Sequence, residues 1–196
     1  MADLVTLAQY KEAEGISSSK DDLRFNSIVP SVSELVKTYC GNSFVDFYSS
    51  NKTETFTIDW DTYVVQLTES PVNSIVSVQE RETYGAAYST LTTSDSEYYL
   101  ESSTDSILRT NDSGRYQNWP KGVGSVKVVY TGGYSEVPAD LKLAVFDLIT
   151  YYYKDEHKQR QSIAGATLQN QGSSSQRMNV GFPDHIKRVL DLYKTY

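Results

Sequence analysis

The spacing of apolar residues changes twice along the chain, from a helical rhythm to an alternating one and back. Near the start, Thr6-Leu7-Ala8-Gln9 has the spacing of a capping box, which predicts a short helix over 6–14 stopped by Gly15. Ser19-Lys20-Asp21-Asp22 opens a second helix over 20–40, with acidic residues favourably placed in its first turn. Leu23, Ile28, Val32, Leu35, Val36 and Tyr39 lie towards one side of it, and Gly41 is its expected stop. Pro30 sits inside, and its missing donor and ring clash predict a kink or a division there.

From 44 to 134 short β-branched and aromatic runs alternate with turn residues. The segments 55–58, 62–67, 74–78, 98–100 and 125–130 read as strands of an antiparallel sheet or small barrel. Helical spacing then returns over 138–157, where Pro138 suits a first turn and Leu141, Val145, Leu148, Ile149 and Tyr152 recur on one face. Residues 158–181 are rich in Gln, Ser, Gly and Asn without any period, which predicts a flexible linker. A final helix is expected over 182–196, opened by Pro183 and Asp184. The fold class is therefore α+β: a helical body over 1–157 with an inserted antiparallel β region, then a tethered C-terminal helix.

Charge sharpens this picture. Residues 1–120 carry 8 Lys/Arg and 18 Asp/Glu, whereas 121–196 carry 10 and 7, within a net charge of −7. Gripping nucleic acid through phosphates needs clustered positive charge, which most of this chain lacks. No apolar run reaches the roughly 18–20 residues that span a bilayer, and Met1-Ala2-Asp3-Leu4 does not read as the start of a signal peptide. Cys40 is the single cysteine, so no intrachain disulfide forms, and it reads as a buried structural thiol.

The chain offers little to catalysis. His157 and His185 fall on separate helices with no paired ligand at metal spacing. Gly122-Val123-Gly124 lacks the rest of any phosphate-loop pattern, and Asp59-Trp60-Asp61 reads as a solvated hairpin end. We expect no catalytic, cofactor or metal residues. Two features point to contact with partners instead. Tyr151, Tyr152 and Tyr153 project about 100° apart on a helix, so they do not all enter one core. Tyr151 and Tyr153 become interface candidates, with a plain surface role as the alternative. Ile186, Val189, Leu190 and Tyr193 form a stripe at i, i+3, i+4 and i+7, preceded by Phe182. A helix this short is marginal alone, so the stripe must find a partner in the chain's own body or in another protein. Lys187, Arg188 and Lys194 add positive charge beside it.

The order of these pieces resembles the tailed-phage head–tail connector, or head-completion adaptor, family. The similarity runs through Gly15-Ile16-Ser17, Tyr39-Cys40-Gly41-Asn42-Ser43-Phe44, Leu67 to Val72 and Ser74 to Val78. Its most specific part spans Val126, Val128, Tyr130, Thr131, Gly133, Tyr134, Val137, Pro138 and Asp140-Leu141-Lys142, and a terminal Pro-led helix completes it. The resemblance implies a structural virion protein of the phage neck, found in the host cytoplasm during assembly. It implies a dodecameric ring of self-copies under the portal protein, with a tail or stopper protein below and DNA passing through. It also implies that Phe182, Ile186, Lys187, Arg188, Val189, Leu190 and Tyr193 dock on the portal or a neighbouring copy, with Tyr151 and Tyr153 beside them. The rivals are another neck or tail part (stopper, terminator or baseplate adaptor) and a carbohydrate-binding β module built on Tyr98, Tyr99, Trp60 and Trp119.

Overall fold

The computed structural model describes residues 2–154, 161–163, 166–168 and 182–194. They form two compact units: Met1–Gly41 with Glu136–Tyr196, and Asn42–Ser135. The first is helical and the second is made of sheets, so the α+β reading holds, with the β region inserted between helices.

In the helical unit, α1 (Leu7–Ala13) starts on the expected capping box: Thr6 accepts from the Gln9 amide and Gln9 reaches back to the Thr6 amide. Tyr10 is buried, its ring beside Phe25 and Phe146 and its hydroxyl 2.9 Å from that of Thr150. The next helix, α2 (Asp22–Cys40), ends on Gly41 in the left-handed region at φ 70°. It runs undivided through Pro30, so of the expected kink or division the division does not occur. Phe25, Val29, Val32, Val36 and Cys40 are buried on both sides of the proline, and that packing outweighs one missing backbone bond. Leu23, expected on the apolar side, is instead 87% exposed, because the buried stripe is set by Phe25 and Val29. In α3 (Ala139–Tyr153), Leu141, Ala144, Val145, Leu148 and Ile149 are buried, with Pro138 at the N-cap. It ends at Tyr153 with Lys154 as its C-cap, short of the expected 157.

Within the stretch read as a linker, β8 (Gln161–Ile163) and β9 (Ala166–Leu168) pair antiparallel. The rest of 158–181 lies outside the described residues. The terminal helix, α4, spans Asp184–Leu192.

The inserted unit contains β1 (Lys52–Ile58), β2 (Val64–Gln66), β3 (Val72–Glu80), β4 (Ser89–Leu91), β5 (Tyr98–Glu101), β6 (Ser106–Arg109) and β7 (Gly122–Gly132). They form one sheet in the order β1-β7-β3-β4 and another in the order β2-β6-β5, all antiparallel. Val126, Val128 and Tyr130 alternate inward along the central β7 and meet Val78, Ile107 and Trp119 in one apolar cluster. Burying each such side chain contributes roughly 1.5–3 kcal/mol before entropy. The strands β4 and β6 escaped the sequence reading, since Ser89-Thr90-Leu91 and Ser106-Ile107-Leu108-Arg109 each hold a single β-branched residue and no aromatic one.

Two polar devices lock this unit. Arg109 on β6 donates from Nε and Nη2 to the Glu80 carboxylate on β3 at 3.0 and 2.8 Å, tying the two sheets together. Around Tyr130, Lys52 Nζ lies 2.8 Å from both Glu54 and Glu69. The Tyr130 hydroxyl donates to Glu54 at 3.0 Å and accepts from the Glu69 amide at 3.1 Å. The Glu69 carboxylate in turn accepts from the amide and hydroxyl of Ser43 at 2.9 and 2.8 Å. Burial by itself would raise the Glu54 pKa, but the Lys52 ammonium and the Thr68 and Tyr130 hydroxyls more than offset it and hold the carboxyl below its ordinary value. Burial likewise opposes the Lys52 charge, and the two carboxylates win and hold its pKa above the ordinary value.

Gly133 has φ 93°, and a Cβ there would lie 2.2 Å from the Phe44 carbonyl oxygen. Gly133→Ala should therefore lower unfolding stability by about 3 kcal/mol or more, read from the denaturant midpoint of the sheet unit. For Glu54, a depressed folded pKa means its stabilisation is complete above the unfolded value of 4.5 and is lost as pH falls below it. For Lys52, a raised folded pKa means its contribution is complete below 10.5 and is lost above it. Urea midpoints across pH should fall at both ends, and Glu54→Gln should flatten the acid limb.

Candidate partner-binding surfaces

At the start of α4, Pro183 takes φ −52° at the N-cap and Asp184 places a carboxylate in the first turn, where the helix dipole favours it. The stripe that follows does find a partner, and it is the helical unit itself. Phe182, Ile186 and Leu190 are buried, none more than 3% exposed. Phe182 meets the Tyr39 ring edge-on at 5.0 Å between centroids, and the Tyr39 hydroxyl donates to Asp191 at 2.6 Å. Tyr193 donates to Asp140 on α3 at 2.6 Å, and the Leu190 carbonyl lies 3.6 Å from Cys40 Sγ. Burial, then Asp191, pushes the Cys40 thiol up to about 12, so it stays protonated and acts as packing.

This corrects the expectation that the whole stripe faces another protein. Phe182, Ile186 and Leu190 are core residues, Tyr193 is anchored by its hydroxyl, and Val189 is half-buried. Stripe residues share a helix face, and α2 and α3 already occupy that face. Of the expected contact residues on α4, Arg188 is exposed and Lys187 half-exposed. Sequence reasoning missed Leu192, 78% exposed beside them, and Leu143 on α3, 62% exposed. Their signal was available: each is an apolar residue off its helix's buried stripe.

The tyrosine cluster is split in role. Tyr153 stacks on Phe25 at 4.5 Å, carries the Arg24 guanidinium 5.0 Å from its ring centre and donates to Asp21 at 3.0 Å. It is therefore engaged within the unit. Tyr151 meets Tyr152 edge-on at 5.7 Å, and both are half-buried. Tyr152, with Arg24, Ile28, Ser31 and Leu35, lines a shallow cavity of about 440 Å³.

On the sheet unit the exposed aromatic residues are Tyr48, Trp60, Tyr63, Tyr84, Tyr99 and Tyr116, with Tyr63 and Tyr116 stacked at 4.4 Å. Trp119 is 2% exposed and belongs to the core, so it gives a sugar no platform. Asp61 pairs with Lys121 at 3.0 Å in solvent, on a connection between the two sheets and not at the expected hairpin end, because β1 and β2 pair with different strands. His185 lies 4.0 Å from Asp147 with both side chains exposed, and His157 falls outside the described residues. Among the described residues, no three His, Cys, Asp or Glu side chains are grouped to hold a metal ion, and no helix is long and apolar enough to cross a membrane.

The chain thus has a helical unit interrupted by the sheet unit, with its last helix packed on α2 and α3 and no clustered metal-ligating groups among the described residues. Residues 3–196 match the family described as head completion protein. The chain belongs to that family. Over 72 residues it is 33% identical to the head completion protein of Escherichia phage T5, a stretch spanning 36% of this chain and 39% of that relative. Its fold is similar to that of a chain in the neck of an empty gene transfer agent particle computed with C6 symmetry, with a TM-score of 0.60 at 14% identity over 98% of this chain and 90% of the other. A chain in the neck of the native particle computed with C12 symmetry gives 0.56 at 16% identity, covering 100% and 94%. At these identities the likeness is one of fold.

In this head completion family member, the buried half of α4 should behave as core. Leu190→Ala should cost about 2–5 kcal/mol of stability in the helical unit, whereas Leu192→Ala should change it by less than about 0.5 kcal/mol. Thermal unfolding of the two variants measures both.

Proposed function

We propose that this head completion protein is a structural, non-enzymatic subunit of a tailed-phage neck, carried in the virion as one copy of a ring. The ring joins the portal protein to a tail or stopper protein, and DNA passes through it without sequence-specific binding. The observation that carries this reading is the family match over residues 3–196. The likeness in fold to neck chains from particles computed with C6 and C12 symmetry supports a ring, and twelve copies are the expected number. A net charge of −7 suits passage over capture, because an acidic body repels phosphates.

With Phe182, Ile186 and Leu190 buried, portal docking falls to the outer face of α4. Lys187 and Arg188 supply charge for an acidic rim, and Leu192 supplies the apolar contact between them and the chain end. One such contact is weak, and repetition around a ring multiplies it. Reversing Lys187→Glu with Arg188→Glu should leave the melting temperature unchanged and reduce co-sedimentation with portal at least tenfold. Unchanged co-sedimentation would remove α4 from the interface. Negative-stain images of the wild-type chain mixed with portal should show an added ring, and its absence would sink the neck reading.

A further inference from the structure

The strand β5 ends its sheet, and no described strand lies against its outer side. Thr110 donates to the Glu97 carbonyl at 2.9 Å, which sets the phase of the β5–β6 ladder. By the alternation of an antiparallel pair, Tyr99 and Glu101 direct their amides and carbonyls to β6, and Tyr98 and Leu100 direct theirs to the open side. A cavity of about 720 Å³ runs along this strand, lined by Ile75, Tyr98, Tyr99, Leu100, Glu101 and Tyr116 among others. Ile75, Tyr98 and Leu100 pack against the apolar cluster of the unit yet remain only partly buried. The core is thus reachable from this edge.

Unlike a blunted edge, this one carries no proline or lysine across 98–101. Its charge is of one sign. Glu101 lines the cavity, and an adjoining pocket that shares Ser96 is lined by Asp95, Glu97 and Asp112. No Lys or Arg lines either, although Arg115 follows Gly114 in sequence. The whole unit, residues 42–135, carries twelve Asp/Glu against six Lys/Arg.

We propose that β5 is a docking edge for an extended, basic segment of a partner protein, which adds a strand to the sheet β2-β6-β5. Main-chain bonds to Tyr98 and Leu100 fix the register. Alternate side chains of the incoming strand then face opposite ways. Those on the core side are apolar and cover Ile75, Tyr98 and Leu100. Those on the outer side are Lys or Arg, placed over the rings of Tyr99 and Tyr116 and beside Glu101. This proposal does not rest on the neck reading, since it follows from the edge, the cavity and the charge alone.

The test uses the purified full chain and a capped peptide, Val-Lys-Val-Lys-Val-Lys, with Val-Glu-Val-Glu-Val-Glu as its counterpart. Amide exchange is followed by NMR. The lysine peptide should slow exchange at Tyr98 and Leu100 at least tenfold, saturably, while the glutamate peptide leaves it unchanged. Glu101→Lys with Asp112→Lys, both outside the apolar cluster, should keep the melting temperature and abolish that protection. Absence of protection at millimolar peptide overturns the proposal, as does equal protection by both peptides. Protection of the same amides that rises with the concentration of the chain alone also overturns it, and assigns the edge to a second copy.

Discussion

The Phe44 carbonyl accepts the Tyr134 amide at 2.6 Å, and around that bond the chain entering the sheet unit is fastened to the chain leaving it. Gly132 donates to the Phe47 carbonyl and Gly133 to that of Pro71, so both ends of the insertion lie on one frame. The close approach requires a residue without Cβ at 133. Glu69 reinforces the same corner, because its carboxylate holds Ser43 on the entering segment while Lys52 and Tyr130 hold Glu69 on the sheet. The register of β7, and hence which of its side chains enter the core, follows from where these ends are pinned.

The helical unit solves a different problem. An isolated nine-residue helix is unstable in water, so α4 needs an apolar surface to form at all. It finds that surface on α2 and α3 and leaves its charged side outward. This division keeps the residues that hold the helix in place, Phe182, Ile186 and Leu190, apart from the exposed Arg188 and Leu192. The same economy appears at α3, where the buried stripe leaves Leu143 in solvent.

The sheet unit has unequal edges. Central β7 is paired on both sides and is buried alternately from Val126 to Gly132. The four-residue β5 has one neighbour, as β1, β2 and β4 do, and carries Tyr98 and Leu100, which pack on the core while only partly covered.

Local signals sufficed for the helix starts and for the stop of α2, though α3 ends at Tyr153 and α4 at Leu192, short of the expected 157 and 196. The Thr6 capping box, Gly41 as a left-handed stop and the inward face of α3 depend on neighbours within one or two turns, so they were legible in the sequence. The run at 125–130 was likewise legible as a strand. The stripe on α4 was legible as apolar, but its partner was not, because periodicity reports that a face is buried and never against what. Only the tertiary structure placed Phe182 on Tyr39 and Tyr193 on Asp140, residues remote in sequence. It alone carried α2 through Pro30, buried Trp119 and left β5 with an open side. Each of these depends on contacts between distant segments, whose packing energy exceeds the local preferences that a sequence displays.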